Sequence, residues 1–211
     1  LAEREKKYTA HNFCNNPIDF IHLSNISSHI EDSSSFITSV IDELREVQTA
    51  WELNTTKNGF QAKIDIFKDP SREIDSLKSI ISDELDAYYA KFKNESCSYI
   101  KKWPSEKKVT GWHVILKQHG HQTSHIHPDG WLSGVIYLMV VPSLGKNEGG
   151  IEFRMDSPQY SEVGSTTKIY QPKLGDMIFF PSSLHHRTLP FSTDMKRMCV
   201  SFDLVPTLAR D

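Results

Sequence analysis

The chain has 211 residues, with 24 Lys and Arg residues against 27 Asp and Glu residues and a formal net charge of −3. That length is enough for one domain with a sizeable hydrophobic core. The nearly balanced charge lacks the basic surface of a nucleic-acid-binding protein, and no apolar run approaches the roughly 20 residues that a membrane-spanning helix needs. We therefore expect neither a nucleic-acid partner nor a membrane partner.

The cysteines and the first residues bear on where the protein works. Cys14, Cys97 and Cys199 are odd in number and widely spaced, which indicates reduced thiols and a cytoplasmic location. The chain begins at Leu1 without a signal-peptide pattern. We expect a segment cut from a longer protein.

The N-terminal half is predicted to be mostly helical. Residues 1–35 are polar and broken by turns, and we assign them to a linker segment. Apolar residues recur at helical spacing over residues 33–51 and again over residues 71–93, which predicts two helices. Residues 59–67 alternate like a strand. Together these elements make residues 36–104 a helical support.

The pattern changes to short strands after residue 104. Gly, Pro and Ser residues separate six strand candidates, at residues 110–118, 132–141, 149–154, 167–170, 175–181 and 196–204. Short strands with helices confined to the N-terminal part predict a mainly β fold, a β-sandwich or jelly roll braced by helices on one side.

Four of the ten histidines lie within nine positions, at 119, 121, 125 and 127. His125 and His127 are two residues apart, so on an extended segment both point to one face, and His127 and Asp129 bear the same relation. Two such ligands and a third from a distant strand can occupy one face of an octahedral metal, leaving three positions open. This segment is therefore a candidate metal site.

A second pair, His185 and His186, follows a later strand, and Arg197 comes eleven residues after His186. A single loop histidine is usually a polar surface residue, but two pairs with an arginine downstream favour a metal site. Zinc is a rival metal, although a structural zinc site would normally include cysteines and none lies near these histidines.

Four segments carry a resemblance to a known family: "HIHPDGWLSGVIYLMVVP", "GGIEF", "PKLGDMIFFPSSLHHRTLPF" and "KRMCVSFDLVP". From Trp112 to Pro206 the chain resembles 2-oxoglutarate- and Fe(II)-dependent oxygenases, and more narrowly the oxygenase domain found C-terminal to tetratricopeptide repeats. The resemblance implies a cupin-like double-stranded β-helix, with residues 36–211 as a single oxygenase domain and residues 105–211 as its β-helix core. It also implies one non-haem Fe(II), 2-oxoglutarate as co-substrate, O2, and ascorbate as an optional reductant.

The resemblance assigns roles to particular residues. His186 matches the distal iron ligand, and Arg197 matches the residue that binds the far carboxylate of 2-oxoglutarate. Tyr137 and Ser201 are further candidates for contacting 2-oxoglutarate, Ser201 because it lies four residues beyond Arg197 on the same strand face. No catalytic residue beyond the metal ligands is expected.

Two registers remain open for the proximal ligands. In the favoured one His125 is a ligand and His127 stands where an Asp is usual. The spacing from His125 to Pro142 resembles that of aspartyl/asparaginyl β-hydroxylases, which lack the carboxylate ligand. In the other register His127 and Asp129 form the usual His-x-Asp pair, supported by the preference of Fe(II) sites for a carboxylate.

The expected activity is hydroxylation of a protein side chain or a small molecule. One alternative is a non-catalytic, metal-binding β-barrel that serves as an interaction module. Another is a cupin-like metalloenzyme that does not use 2-oxoglutarate. We expect the substrate to face residues 143–148 and 155–166, and the parent chain to carry helical repeats. A homodimer is an alternative that the sequence leaves open.

Overall fold

The computed structural model describes residues 13–14, 16–155 and 166–207. The helices are α1 (Ser33–Arg45), α2 (Arg72–Phe92) and α3 (Ser98–Lys101), with short 3-10 helices at Pro17–Phe20 and Ile26–Ser28. The strands are β1 (His22–Asn25), β2 (Thr49–Trp51), β3 (Thr56–Ala62), β4 (Lys108–His125), β5 (Leu132–Met139), β6 (Ile151–Arg154), β7 (Thr167–Tyr170), β8 (Asp176–Pro181), β9 (His185–Thr188) and β10 (Arg197–Val205). No helix in these ranges is long and apolar enough to cross a membrane.

The strands form one curled sheet in which most paired strands are not consecutive in the chain. Its order is β1-β8-β5-β10-β4-β9-β6-β7, while β3 pairs with β4 and β2 pairs with β3. The pairings are antiparallel throughout the described strands. This mainly β architecture, with its helices in the N-terminal half, confirms the predicted fold class.

The curl creates two separate hydrophobic cores because successive side chains of a strand point to opposite faces. On β10, Met198 and Val200 belong to the core that lies against α1 and α2. Cys199 lies between them in sequence and belongs to the second core, inside the curl, together with Tyr137 of β5. Cys199, and with it Arg197 and Ser201 on the same face of β10, therefore points to the inside of the curled sheet.

Helix α2 covers the outer core with an apolar face. Its buried side chains recur at helical spacing, at Ile74, Leu77, Ile80, Ile81, Leu85, Tyr88 and Phe92. Helix α1 begins at the N-cap Asp32, whose carboxylate accepts a hydrogen bond from the backbone N of Ser35. It ends at Arg45 rather than at residue 51, since residues 49–51 pair with β3 as a strand.

Several strand boundaries differ from the predicted ones. Strand β4 extends to His125, well beyond the predicted residue 118, and β9 was not predicted. Both segments are polar, so hydrophobic periodicity does not mark them. They form through pairing with each other and with neighbouring strands, β9 with β6 and the end of β4 with β3. The predicted linker region also contains β1, which pairs with β8. The division of the chain into residues 1–35 and 36–211 stays a prediction.

Candidate metal centre

Strands β4 and β9 bring three histidines together. His125, the last residue of β4, is paired directly with His186 of β9, so both side chains point to the same side of the sheet. His127 follows two residues later, and its backbone N donates to Ser182 O at 3.0 Å. One ring nitrogen from each histidine lies within 4.8 Å of the other two. This grouping, without an ion, is what a three-imidazole metal site requires.

The Nδ1 atom of each ring faces an oxygen acceptor, which fixes the orientation of the ring. The Nδ1 distances are 2.7 Å from His125 to Thr123 O, 3.0 Å from His186 to Leu184 O, and 2.7 Å from His127 to Asp203 Oδ1. A carbonyl or carboxylate oxygen only accepts, so each Nδ1 carries the proton. The Nε2 lone pair of each neutral ring remains available for a metal.

Burial keeps two of these rings uncharged. Desolvation, together with the neighbouring His127, lowers the pKa of His125 to about 4. Desolvation also places the pKa of His186 well below its ordinary value, with added repulsion from His125 and His127. Near neutral pH both rings are therefore in the unprotonated form that binds metal ions.

Asp129 lies apart from this group. It is exposed and is not among the residues whose ligand atoms converge with the histidines. The geometry thus agrees with the favoured register, in which His125, His127 and His186 are the ligands. The ligand roles themselves stay predictions.

A buried cation lies deeper inside the curl. The guanidinium of Arg197, at the start of β10, is only 1% exposed and lies 4.8 Å above the ring of Tyr137. Arg197 Nε and the hydroxyl of the fully buried Tyr137 have no hydrogen-bond partner within the described part of the chain. The contact of Arg197 with Cys199 Sγ is long, at 3.7 Å. Two orphaned polar groups side by side mark a site for a missing acceptor.

Burial raises the pKa of the Tyr137 phenol, and the positive charge of Arg197 only partly opposes this. Tyr137 therefore stays protonated and can donate a hydrogen bond. Ser201 lies on the same inner face of β10, 8% exposed, with its hydroxyl directed at Cys199. Its contact with 2-oxoglutarate stays a prediction.

Asp203 and Ser133 are polar residues near the histidines that sequence reasoning missed. Both are buried, and Asp203 accepts from His127 and from the hydroxyl of Ser133. Side chains alternate between the two faces of a strand, and Asp203 is six residues from Arg197. The sequence therefore indicates that Asp203 lies on the same face of β10 as Arg197. No sequence pattern indicated that this carboxylate would reach a histidine beyond the end of β4.

A cleft of about 530 Å³ is lined by residues that adjoin His125 and His186 in the sequence. It is lined by residues 121–124, directly before His125, by residues 187–190, directly after His186, and by Arg154. Of the two loops expected to face the substrate, residues 143–148 lie in the described chain and do not line this cleft, while most of residues 155–166 lie outside the described residues.

A family model matches the part of the chain that carries the site. Residues 110–203 match the sequence model of a family described as "Putative 2OG-Fe(II) oxygenase". That range contains His125, His127, His186, Arg197 and Tyr137. A search of curated protein sequences found no match.

Solved structures share the fold at low sequence identity. A prolyl-4-hydroxylase from Pseudomonas putida matches with a TM-score of 0.60 at 12% identity, covering 89% of this chain and 92% of that one. A Trichoplax adhaerens prolyl hydroxylase, in complex with a hypoxia inducible factor peptide fragment, matches with a TM-score of 0.59 at 14% identity over 88% and 83%. HygX from Streptomyces hygroscopicus, with nickel and 2-oxoglutarate bound, matches with a TM-score of 0.59 at 12% identity. The match covers 89% of this chain and 83% of that one.

These structures have the fold that the sequence predicted for this chain, the double-stranded β-helix. The family match and the arrangement of three histidines around one point agree with that fold. Residues 110–203 therefore resemble the 2-oxoglutarate- and Fe(II)-dependent oxygenases in sequence, and the chain shares the fold of solved members of that group.

Proposed function

We propose that the protein is an Fe(II)- and 2-oxoglutarate-dependent hydroxylase. In the overall reaction, 2-oxoglutarate, O2 and a substrate C–H group give succinate, CO2 and a substrate C–OH group. One oxygen atom of O2 ends in succinate and the other in the hydroxyl group. The observation that carries this proposal is the buried Arg197, which has no carboxylate partner among the described residues.

A buried cation without a counter-ion is costly, since desolvation is not offset by an opposite charge. The far carboxylate of 2-oxoglutarate would supply that charge and match the fork of the guanidinium with two hydrogen bonds. The Tyr137 hydroxyl, orphaned beside Arg197, would donate a further bond to the same anion. The two residues thus suit a dicarboxylic acid better than a neutral ligand.

His125, His127 and His186 would hold the Fe(II) through Nε2, because each Nδ1 is already occupied. When bound, Fe(II) supplies the activation of O2, which no side chain of the protein can provide. The chain's own residues hold the metal, hold the co-substrate and exclude water. Phe180 and Phe153, with ring centroids 4.6 and 6.2 Å from that of His186, form an apolar wall suited to the last task.

The direct test is succinate formation from 2-oxoglutarate by protein loaded with Fe(II). We expect wild-type protein to form succinate, and Arg197→Met to lose 2-oxoglutarate binding while keeping its metal. The exposed Arg45 provides a matched control, and Arg45→Met should behave as wild type.

Three results would contradict the proposal. Binding of 2-oxoglutarate without succinate formation would favour a non-catalytic module. No binding by wild-type protein would favour a metalloenzyme that does not use 2-oxoglutarate. Equal binding by wild type and Arg197→Met would remove the assigned role of Arg197.

For the substrate class we propose a protein side chain. The cleft of about 530 Å³, lined by residues that adjoin His125 and His186 in the sequence, offers room for a side chain with neighbouring backbone. Prolyl hydroxylases are among the proteins with a similar fold. Incubation with candidate peptides should add the mass of one oxygen atom, and modification of free metabolites alone would count against this substrate class.

The cellular setting is part of the proposal. None of the three cysteines, all within the described chain, forms a disulfide, which supports a reducing cytoplasmic location. Attachment to helical repeats and formation of a homodimer stay predictions. Sequencing the complete transcript and measuring the molecular mass in solution test them.

A further inference from the structure

We propose that Asp203 is a positioning residue that orients His127 toward the metal and supplies, through that imidazole, the negative charge that a carboxylate ligand ordinarily gives. This inference rests on the proposed metal centre. It concerns a residue outside the candidate ligands and a departure from the usual ligand set of two histidines and one carboxylate.

The first observation is the contact itself. Asp203 Oδ1 lies 2.7 Å from His127 Nδ1, and each side chain is 12% exposed. Because a carboxylate accepts, the hydrogen bond leaves the proton on Nδ1 and the lone pair on Nε2. A hydrogen bond from a metal-bound imidazole to a carboxylate fixes the orientation of the ring and makes its other nitrogen a stronger ligand.

The second observation is that Asp203 is itself held in place. The hydroxyl of Ser133 donates to the same Oδ1 at 2.6 Å and lies 2.8 Å from the hydroxyl of Ser182. Ser182 O accepts the backbone N–H of His127 at 3.0 Å. The four residues close a ring of hydrogen bonds that joins β5, β10 and the two loops that flank the histidines.

The turn after His127 is packed against this ring. A Cβ atom at Gly130 would lie 2.5 Å from Ser182 Oγ and 3.3 Å from Asp203 Cγ. That space is too tight for a side chain, so the turn approaches the network as closely as a backbone can. His127 is therefore fixed by its backbone as well as by its ring.

The third observation concerns charge. The three candidate ligands are imidazoles, and Asp129 is exposed and outside their group. Among the described residues, Asp203 is the carboxylate that hydrogen-bonds one of them. Its charge lies one imidazole ring away from the metal position, so it can offset the charge of a divalent cation without occupying a coordination position.

The test is the affinity for Co(II), used in place of Fe(II) because it is stable in air, measured by calorimetry without 2-oxoglutarate. Asp203→Asn keeps the shape and an acceptor oxygen but removes the charge. We expect it to bind Co(II) about 10–100-fold more weakly than wild type. Asp203→Ala removes the acceptor as well and should bind still more weakly.

Asp86→Asn is the matched control, since it removes an exposed carboxylate of helix α2 outside the histidine group, and its Co(II) affinity should equal that of wild type. Thermal melting of the metal-free variants shows whether each is folded. If Asp203→Ala does not fold, Ser133→Ala replaces it. This variant removes one bond to Asp203, and we expect several-fold weaker binding.

Wild-type affinity in Asp203→Asn would overturn the charge role, and wild-type affinity in Asp203→Ala or Ser133→Ala would overturn the positioning role. Weaker Co(II) binding by Asp203→Asn without succinate formation by the Fe(II)-loaded wild type would keep this inference and refute the proposed function. Succinate formation by wild type, together with unchanged Co(II) affinity in Asp203→Asn, would support the proposed function and refute the charge role of Asp203.

Discussion

At the scale of single residues, the proposed co-substrate site consists of hydrogen-bond donors that have no acceptor among the described residues. Arg197 Nε and the Tyr137 hydroxyl are buried together and lack partners among the described residues. Each would regain a partner in the same anion. Single substitutions at these residues measure how much each contact would contribute to 2-oxoglutarate binding.

Tyr137→Phe removes the hydroxyl and keeps the ring under Arg197. We expect a loss of about 1.5–3 kcal/mol in 2-oxoglutarate binding, on the order of 10–100-fold in Kd, because one hydrogen bond to a buried anion is lost. Calorimetric titration of the metal-loaded protein measures it. Tyr89→Phe, at an exposed position on α2, should leave the Kd unchanged.

His125→Ala and Asp129→Ala distinguish the two registers for the proximal ligands. His125 lies within the group of converging nitrogens and Asp129 does not. We expect His125→Ala to lose stoichiometric metal and succinate formation, and Asp129→Ala to keep most of both. Metal content after dialysis measures the first quantity. Loss of metal in Asp129→Ala, with metal retained in His125→Ala, would restore the other register.

At the scale of elements, the site depends on the long strand β4 holding the short, polar β9. Strand β4 also pairs with β3 on one side, and that pairing shifts register between Lys57 and Gly59. A Cβ atom at Gly59 would lie 2.5 Å from Ile115 O, a backbone atom that cannot rotate away. The close approach of these two strands therefore requires glycine.

Gly59→Ala should destabilise the protein by about 1–3 kcal/mol, because the strands must separate to admit the methyl group. Urea denaturation followed by circular dichroism measures this. Gly145→Ala is the control, since its nearest contact is the flexible side chain of Glu148. If Gly59→Ala and Gly145→Ala had equal free energies of unfolding, the claimed close approach of β3 and β4 at Gly59 would be wrong.

The same elements show what the sequence could reveal. Apolar periodicity predicts α2 and β5 closely, because their packing imposes it. It misses β9 and the second half of β4, since these polar segments are defined by pairing between residues about 60 positions apart. For the same reason the spacing of His125 and His127 is readable from sequence, whereas the partnership of His127 with Asp203 depends on folding.

At the scale of the whole molecule, a buried carboxylate joins helix α2 to residues 22–29 near the N-terminus. Glu84 of α2 contacts His22 and Ser24 of β1 and also His29. Burial raises its pKa, but these hydrogen bonds and the charge of His29 together lower it from 4.5 to about 2. Glu84 thus joins α2 to the edge strand of the sheet.

Glu84→Gln should cost about 1–3 kcal/mol of stability at pH 7, the contribution of hydrogen bonds to a charged group. A lowered pKa stabilises the folded state above the unfolded pKa, and this contribution disappears as pH falls through the folded one. The difference between wild type and variant should therefore shrink between about pH 4.5 and pH 2. Urea denaturation across that range measures it.

Asp86→Asn is the control on the same helix, because the ion pair of Asp86 with Lys107 is exposed and worth little. A stability difference for Glu84→Gln that is constant with pH would contradict this account.

The most direct test of the account is a crystal structure grown without O2, with Mn(II) in place of Fe(II) and with 2-oxoglutarate. We expect an anomalous Mn(II) peak bonded to Nε2 of His125, His127 and His186, and the far carboxylate of 2-oxoglutarate bound to Arg197. A metal bound through Asp129 or at another place, or an Arg197 without the carboxylate, would contradict it.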